Sequence, residues 1–349
     1  MAKKVFIGMS GGVDSCAAAV LLKKKGYEAA GLTLSLWDDA SRCCNYDDIM
    51  AAKAACVKIG IPHYVINMKD EFRKAVVEPF VSSYLSGETP NPCVVCNEKI
   101  KFAALIKKMK ENSFDFVATG HYARIERNGK KYALKKGKDS AKTQEYFLSR
   151  LAAETLPFIL FPLGNMKKDE IRSIAAKAGV KPARGESQEA CFLREKESPY
   201  DFIKRMNAAP AGQASASLFD TSGKKIRKLE YPYFRYTVGQ RKGLGGGGGE
   251  PLFVSAIDPQ NNRVIAGPRD EAVKKELRIK NLNILAYSGK KHFRAEVKVR
   301  YLHKAAKAAV EISGESAGVV FDSPQFAVTP GQLAVIYRGK TVFGSGFIE

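Results

Sequence analysis

The stretch Lys4–Ser15 reads KVFIGMSGGVDS. A short apolar run ends in closely spaced glycines and serines, and an alanine-rich helical pattern follows over Val13–Lys25. A strand, a glycine turn and a helix in this order predict a phosphate site, because backbone N–H groups and the helix start attract an anion. No Gly-Lys-Ser/Thr follows the glycines, which excludes a Walker A loop. The alternative interpretation is a glycine turn capped by serine and aspartate.

The residues around this stretch alternate short apolar strands with helices, as a parallel sheet covered on both faces requires. The sequence therefore predicts an α/β fold, a doubly wound parallel sheet, over residues 1–150. Further predicted strands are Glu28–Leu36, His63–Asn67 and Phe114–Thr119, and further predicted helices are Asp48–Ile59, Glu71–Leu85 and Asn97–Lys110.

The residue composition of the chain changes at residue 151 and again at residue 210. Residues 151–209 are typical of a helical linker region, with a helix predicted over Lys167–Ala178. From residue 210 onward, β-branched and aromatic runs broken by glycine and proline predict β-barrel-like domains over 210–275 and 276–349. The run Gly245–Gly249 is of low complexity and predicts a loop.

Charge and composition narrow the class of partner. Lysine and arginine total 57 against 36 acidic residues, a net charge of +21, which favours a nucleic-acid partner over charge that serves solubility alone. Hydrophobic residues make up 45%, as in globular proteins. No apolar run approaches the roughly 18 residues of a membrane span. We expect a cytoplasmic protein without membrane contact.

Seven cysteines in a reducing compartment argue against a disulfide framework, so we expect some of them to be reactive. Cys93 and Cys96 lie in the loop TPNPCVVCN, where prolines stiffen the chain and a helix start is expected to lower a thiol pKa. Cys191 follows the polar segment SQEA. Cys16 and Cys56 fall on apolar helix faces and predict core packing. For the adjacent Cys43 and Cys44, a redox pair and no role both stay open.

Several motifs carry a resemblance to known enzymes. SGGVDS at residues 10–15 resembles the PP-loop of ATP pyrophosphatases, which hold the pyrophosphate end of ATP while a carbonyl oxygen is adenylated. Together, the motifs in chain order resemble those of the tRNA-specific 2-thiouridylases, and they span almost the whole chain. The motifs are SGGVDS, TPNPxxxCN with IKF, ATGHYAR, EYFL, FPLG, SQExCF, YTVGQRKGLG and a terminal PGQ.

The resemblance implies roles for individual residues. Cys96 matches the family's nucleophile, and Cys191 matches the cysteine that carries persulfide sulfur. Asp14 is expected to help hold Mg²⁺. The residues implied to bind ATP are Gly8, Met9, Ser10, Gly11, Gly12, Val13, Asp14, Ser15, Leu34 and Gly120. Those implied to contact the target base are Asn91, Pro92 and Cys93, and those implied to contact RNA elsewhere are His121, Lys142, Thr143, Gln144, Arg300, Tyr301 and Gln332.

Three departures from the family pattern concern substrate selection and sulfur chemistry. Cys93 stands where the family usually has aspartate, Thr143 stands in a usual Lys-Asp-Gln, and a usual Gly-Glu-His before YTVGQR is missing. A persulfide relay needs only Cys96 and Cys191. Three thiolates could instead ligate a [4Fe–4S] cluster with an open iron, and we expect Cys93, Cys96 and Cys191 to do so. Zinc is a weaker candidate for this site.

The expected activity is that of a tRNA-uridine 2-sulfurtransferase, with the anticodon loop of tRNA as substrate and ATP with Mg²⁺ as reactants. The expected sulfur donor is a sulfur-relay protein, a cysteine desulfurase or inorganic sulfide, and we expect a monomer or a weak dimer. Two alternatives stay open. One is a paralogue that thiolates a different RNA base, and the other is a small-molecule ATP pyrophosphatase.

Overall fold

The computed structural model describes residues 2–37, 46–179, 190–209, 214–245, 250–286 and 289–349. The chain forms two compact units. The first comprises Met1–Val77, Pro92–Lys196 and Lys340–Val342, and the second comprises Glu78–Asn91, Glu197–Gly339 and Phe343–Glu349. No helix in the described part of the chain is both long enough and apolar enough to cross a membrane.

The first unit is built on a parallel sheet of five strands in the order β3-β2-β1-β4-β7. The strands are β1 (Lys4–Gly8), β2 (Glu28–Ser35), β3 (His63–Asn67), β4 (Phe116–Ala118) and β7 (Ile159–Leu160). Its helices are α1 (Val13–Lys24), α2 (Tyr46–Ile59), α3 (Lys69–Phe72), α5 (Pro92–Cys96), α6 (Phe102–Glu111), α7 (Glu145–Leu148) and α8 (Lys168–Lys177), and a hairpin is formed by β5 (Ala123–Asn128) and β6 (Lys131–Lys136).

Strand β1 lies at the centre of this sheet and is covered on both faces. Val5 and Ile7 belong to a core cluster with residues of α1 and α2. Phe6 points to the other face, because side chains alternate along a strand, and its ring stacks on that of Phe114 at 3.8 Å. Helix α6 packs against β1 and β4. The predicted doubly wound parallel sheet is confirmed.

Two predicted helices have different bounds in the structure. The segment predicted as Glu71–Leu85 is divided into α3, a π turn over Arg73–Val77, and α4 (Glu78–Leu85). The helix predicted to begin at Asn97 begins at Pro92, because proline is favoured in the first helical turn, where its missing N–H leaves no bond unmade. Cys93 and Cys96 therefore lie within helix α5, and a second π turn follows over Asn97–Lys101.

The second unit contains α4, α9 (Pro199–Arg205) and two β structures. A four-stranded sheet has the order β10-β11-β8-β9, with β8 (Ser217–Phe219), β9 (Lys225–Lys228), β10 (Phe253–Asp258) and β11 (Arg263–Gly267). The C-terminal strands are β12 (Val273–Ile284), β13 (His292–Lys298), β14 (Ala306–Ser313), β15 (Ser316–Phe326), β16 (Leu333–Arg338) and β17 (Thr341–Ile348).

The C-terminal strands follow the order β12-β15-β14-β13-β16-β17. Strand β12 also pairs antiparallel with β17, from Ile279 opposite Ile348 to Ile284 opposite Gly344, so the sheet closes into a barrel. Its interior is a cluster of buried aliphatic and aromatic residues that includes Ile279, Phe321 and Phe343. The predicted C-terminal barrel is confirmed.

Candidate active site

The loop between β1 and α1 has the geometry expected of a phosphate cradle. The Ser15 hydroxyl donates to the Gly12 carbonyl at 3.0 Å and accepts from the Ser10 backbone N–H at 3.3 Å. Gly11 has φ +74°, and a Cβ there would lie 2.8 Å from the Asp48 carbonyl oxygen, so only glycine fits. The N-cap residue of α1 is Gly12, which has no side chain to cap the first turn, so the N–H groups of that turn can bind an anion.

Gly120 and Leu34 come from the strands on either side of β1. Gly120 follows β4, and a Cβ on it would lie 2.7 Å from the Asp14 carbonyl carbon and 2.8 Å from the Ser15 nitrogen. Leu34 is near the carboxyl end of β2 and pairs with Ile66 of β3. The structure thus packs Gly120 directly on the residue 8–15 loop and places Leu34 on the adjacent strand, at the edge where such sheets bind ligands.

Asp14 is held by two residues that the sequence analysis missed. The buried Lys168 ammonium donates to both Asp14 carboxylate oxygens, at 2.8 and 3.0 Å, and the Tyr122 hydroxyl donates to Oδ1 at 2.6 Å. Lys168 is the first residue of α8. A lysine at a helix start opposes the helix dipole, and this was the available signal that it has a partner elsewhere.

His121 is fixed by neighbours on three segments. Its Nδ1 lies 2.8 Å from the Thr119 hydroxyl, and its ring contacts those of Phe102 and Phe161 at 6.0 and 6.2 Å between centroids. Burial, aided by the charge of Lys101, lowers the pKa of His121 to about 3. The imidazole is therefore neutral at pH 7, so a contact with RNA would use a neutral hydrogen bond.

The thiols of Cys93 and Cys96 are less acidic than the sequence analysis predicted. Burial raises the pKa of Cys96 to about 11, and it raises the pKa of Cys93 as well, while Lys101 opposes the shift at both positions. The predicted lowering of the thiol pKa is wrong because burial is the largest influence at both positions, although Cys93 is only the second residue of α5. Desolvation of a thiolate therefore exceeds the stabilisation from the helix dipole.

Cys191 is positioned by the residue that follows it. The Phe192 ring packs on Phe72 at 5.9 Å and on Trp37 at 6.4 Å between centroids. Phe72 directly precedes the π turn Arg73–Val77, against which α5 packs. The segments that carry Cys191 and Cys96 thus meet the same part of the first unit.

The predicted three-cysteine ligand set is not formed. Among the described residues, which include Cys93, Cys96 and Cys191, no group of three or more His, Cys, Asp or Glu side chains is placed to hold a metal ion. The prediction of a [4Fe–4S] cluster or zinc at these thiols does not fit the structure. Spacing along the chain gave three thiols but not their distances, and among the described residues the fold does not bring them together as a ligand group.

The remaining cysteines divide into two groups. Cys16 and Cys56 are fully buried in the core between α1, α2 and the sheet, which confirms the prediction of core packing. Burial raises the pKa of Cys16 to about 11 and that of Cys56 to about 12. Cys43 and Cys44 lie outside the described residues, as do residues 187–189 of the SQEACF motif and Gly246–Gly249.

In the first unit, two residues that were predicted to contact RNA, Thr143 and Gln144, form hydrogen bonds within the protein. The Gln144 side-chain oxygen accepts from the Tyr122 N–H at 2.9 Å, and the Gln144 N–H donates to the Tyr122 carbonyl at 2.8 Å. The Thr143 hydroxyl accepts from the Gly137 N–H at 2.7 Å and also bonds Glu145. The segment Lys142–Gln144 is thereby attached beside the ATGHYAR strand.

In the second unit, Arg300 and Gln332 also bond within the protein. The Arg300 guanidinium donates to the Val238 carbonyl at 2.6 Å and to the Thr329 hydroxyl. The Gln332 amide donates to the Thr89 carbonyl at 2.9 Å, in the loop that leads to Asn91. Tyr301 lies under the Lys298 ammonium at 5.1 Å. The RNA contacts of these residues stay predictions.

Comparison with known proteins places the chain in a family. Family models match residues 3–195 (tRNA methyl transferase HUP domain), 230–268 (tRNA methyl transferase PRC-barrel domain) and 274–348 (aminomethyltransferase beta-barrel domain). A tRNA-specific 2-thiouridylase MnmA of Clostridium botulinum is 40% identical over 357 residues, which cover 99% of this chain and 98% of the relative. The chain belongs to the tRNA-specific 2-thiouridylase family. The 2-thiouridylases of Geotalea uraniireducens and Clostridioides difficile are 41% and 40% identical, over 99% and 100% of this chain and 95% and 99% of theirs.

Solved structures give only a distant likeness. NMN synthetase from Francisella tularensis is 21% identical, covers 51% of this chain and 62% of its own, and has a TM-score of 0.32. A TM-score this low gives no information about the site. The resemblance to the 2-thiouridylase family that the sequence motifs indicated is confirmed by the full-length relatives.

Proposed function

We propose that the protein is an ATP-dependent tRNA-uridine 2-sulfurtransferase that forms 2-thiouridine at the wobble position of tRNA. The observation that carries this proposal is full-length similarity to 2-thiouridylases together with an intact residue 8–15 loop. The glycine-lined approach at Gly11 and Gly120, with free N–H groups at the start of α1, fits the phosphates of ATP. Asp14 is the carboxylate of this loop, and the accompanying Mg²⁺ would have to share it with the Lys168 ammonium, which bonds both of its oxygens.

The first chemical step is adenylation of the base. The uridine O2 attacks the α-phosphorus of ATP, pyrophosphate leaves, and C2 becomes bonded to an oxygen that departs readily as AMP. The loop at residues 8–15 holds the leaving pyrophosphate and orients it, so the protein contributes positioning and charge stabilisation. His121 is neutral beside this loop and can donate or accept one hydrogen bond.

Sulfur transfer then needs two cysteines. A donor leaves a persulfide on Cys191, its terminal sulfur attacks C2, and AMP leaves with the original oxygen. The Cys96 thiolate attacks the Cys191 sulfur, which releases 2-thiouridine and leaves a Cys96–Cys191 disulfide for an external thiol to reduce. Cys96 must first lose its proton, and the nearby charge of Lys101 favours that loss.

Substrate selection is assigned to the residues that the family resemblance implies. Asn91, Pro92 and Cys93 are proposed to face the target base, with RNA contacts by His121, Lys142–Gln144, Arg300, Tyr301 and Gln332. The sulfur donor is a sulfur-relay protein or a cysteine desulfurase, which would load the Cys191 persulfide, or inorganic sulfide, which is already fully reduced and would instead attack the adenylated C2 directly. The protein acts in the cytoplasm as a monomer or weak dimer. The same proposal divides the chain into functional regions that end at residues 150, 209 and 275.

The test combines nucleoside analysis with reaction products. Purified protein with tRNA, ATP, Mg²⁺ and a cysteine desulfurase plus cysteine as the persulfide source should yield 2-thiouridine by mass spectrometry, with AMP and pyrophosphate released in equal amounts. With a persulfide-donating desulfurase as the sulfur source, Cys191→Ser should abolish the product, whereas Cys56→Ala, a change at a core cysteine outside the site, should not. A thiolated base at another position would favour the paralogue. ATP–pyrophosphate exchange that proceeds fully without RNA would favour a small-molecule pyrophosphatase.

A further inference from the structure

The PGQ motif at residues 330–332 forms a cradle for the loop Glu88–Asn91. The Pro330 carbonyl accepts from the Thr89 N–H at 2.9 Å. The Gln332 side-chain amide donates to the Thr89 carbonyl at 2.9 Å and lies 3.5 Å from the Pro90 carbonyl. Both polar groups of the Thr89 backbone are therefore bonded to this one turn.

Gly331 permits the close approach that these bonds require. Its φ is +83°, and a Cβ at this position would lie 2.9 Å from the Glu88 Cβ and 3.2 Å from the Thr89 nitrogen. Any larger residue would therefore be strained and would push the loop away. A further contact comes from β12, where the Lys280 ammonium lies 3.3 Å from the Glu88 carboxylate.

The turn itself is held firmly by the barrel. The Gly331 N–H donates to the Ile348 carbonyl at 2.9 Å, and the Ile348 N–H donates to the Gln332 carbonyl at 2.8 Å. The Gln332 N–H donates to the Thr329 carbonyl at 3.2 Å. Since β17 is bonded on both sides of Gln332, the side-chain amide is presented from a fixed backbone.

We propose that Gln332 is a positioning residue that holds the Thr89–Asn91 loop in place. Asn91 is followed directly in the chain by Pro92 and Cys93, the first two residues of α5. The inference rests on the proposed function in one respect, namely that Asn91–Cys93 present the target base. The hydrogen bonds to Thr89 and Pro90 do not depend on that function.

Replacement of Gln332 by methionine tests the proposal, because methionine keeps the length of the side chain and removes its donor. Hydrogen exchange of residues 86–92, measured without RNA, should accelerate by about fivefold to tenfold, as expected for one lost hydrogen bond. The maximal rate of thiolation should fall by at least this factor.

Gln325→Met is the matched control, since the Gln325 amide is exposed and bonds only the neighbouring Ser323 and Pro324 carbonyls. It should leave loop exchange, rate and Kd unchanged. A Gln332→Met variant whose tRNA Kd rises tenfold or more while loop exchange stays at the wild-type level would overturn the proposal. So would faster loop exchange without any loss of thiolation rate.

A second variant covers the case in which Gln332→Met does not fold. Gly331→Ala should also accelerate exchange in residues 86–92, because it adds a Cβ against Glu88. Gly314→Ala is its control, since that glycine has φ +59° but open space around it and tests backbone strain alone. If wild-type protein forms no 2-thiouridine, the proposed function fails, but the exchange results still decide whether Gln332 holds the loop.

Discussion

Lys168 and Asp14 show how a single ion pair can fix a catalytic loop. The lysine is buried, and its ammonium bonds both carboxylate oxygens of Asp14. Lys168→Met would leave this carboxylate with the Tyr122 hydroxyl but without a counter-charge. We expect the free energy of unfolding to fall by about 2–3 kcal/mol, measured by urea titration, and ATP affinity to fall with it.

The double variant Asp14→Asn/Lys168→Met provides the diagnostic comparison. It leaves no unpaired charge, so most of the lost stability should return while ATP affinity stays low. Lys177→Met, at the exposed end of the same helix, should change stability by less than about 0.5 kcal/mol. A Lys168→Met protein as stable as wild type would show that the ion pair contributes nothing.

Cys96 is predicted to react with a distinct pH dependence. Because burial raises its pKa to about 11, the thiolate fraction at neutral pH is small and increases about tenfold per pH unit. The rate of alkylation by iodoacetamide at Cys96, followed by mass spectrometry, should therefore keep rising from pH 7 to 10. In urea-unfolded protein, the midpoint of the pH dependence of alkylation should fall to the ordinary thiol range near 8.5. A plateau below pH 9 in the folded protein would contradict the assignment.

At the scale of elements, the end of β4 packs against the start of α1 without any intervening side chain. Gly120→Ala would place a Cβ 2.7 Å from the Asp14 backbone, so strand and helix would have to separate. We expect a loss of about 1–3 kcal/mol in stability and weaker ATP binding, measured by calorimetry. Gly318→Ala, in β15 with open space around it, should be close to neutral. Unchanged ATP affinity in Gly120→Ala would show that this approach is not needed.

Helix α5 is an element whose boundaries were not predicted from the sequence. The segment TPNPCVVCN predicted a loop with two presented thiols, whereas the helix already begins at Pro92 and continues through a π turn at Asn97–Lys101. The amide of Asn97 donates to the Phe147 carbonyl at 3.1 Å, and such tertiary bonds decide whether a proline-rich segment closes into a helix. Propensity alone does not contain them.

For the molecule as a whole, the net charge of +21 governs how RNA is bound. The Kd for tRNA should weaken steeply with salt, because each neutralised phosphate releases counterions. Lys298→Gln should reduce the slope of log Kd against log salt by about 1. Lys107→Gln, at a lysine 3.9 Å from the carboxylate of Glu111 on helix α6, serves as the control and should leave the slope unchanged. Equal slopes for wild type and Lys298→Gln would exclude a phosphate contact at that lysine.

The parallel sheet, the glycine loop at residues 8–15, the C-terminal barrel and the family could all be predicted from the sequence. These features depend on local patterns, namely apolar periodicity, glycines at positive φ and short motifs, which can be read without knowledge of distant contacts. Core packing of Cys16 and Cys56 followed from the same patterns.

The hydrogen bonds between residues that are far apart in the sequence became known only from the folded structure. Asp14 joins Tyr122 across 108 positions and Lys168 across 154, and Gln332 joins Thr89 across 243. The raised pKa of Cys96 and the absence of a three-thiol metal site, within the residues described, have the same origin. Distances and desolvation depend on how remote segments pack, and residue types and their spacing along the chain do not encode either quantity.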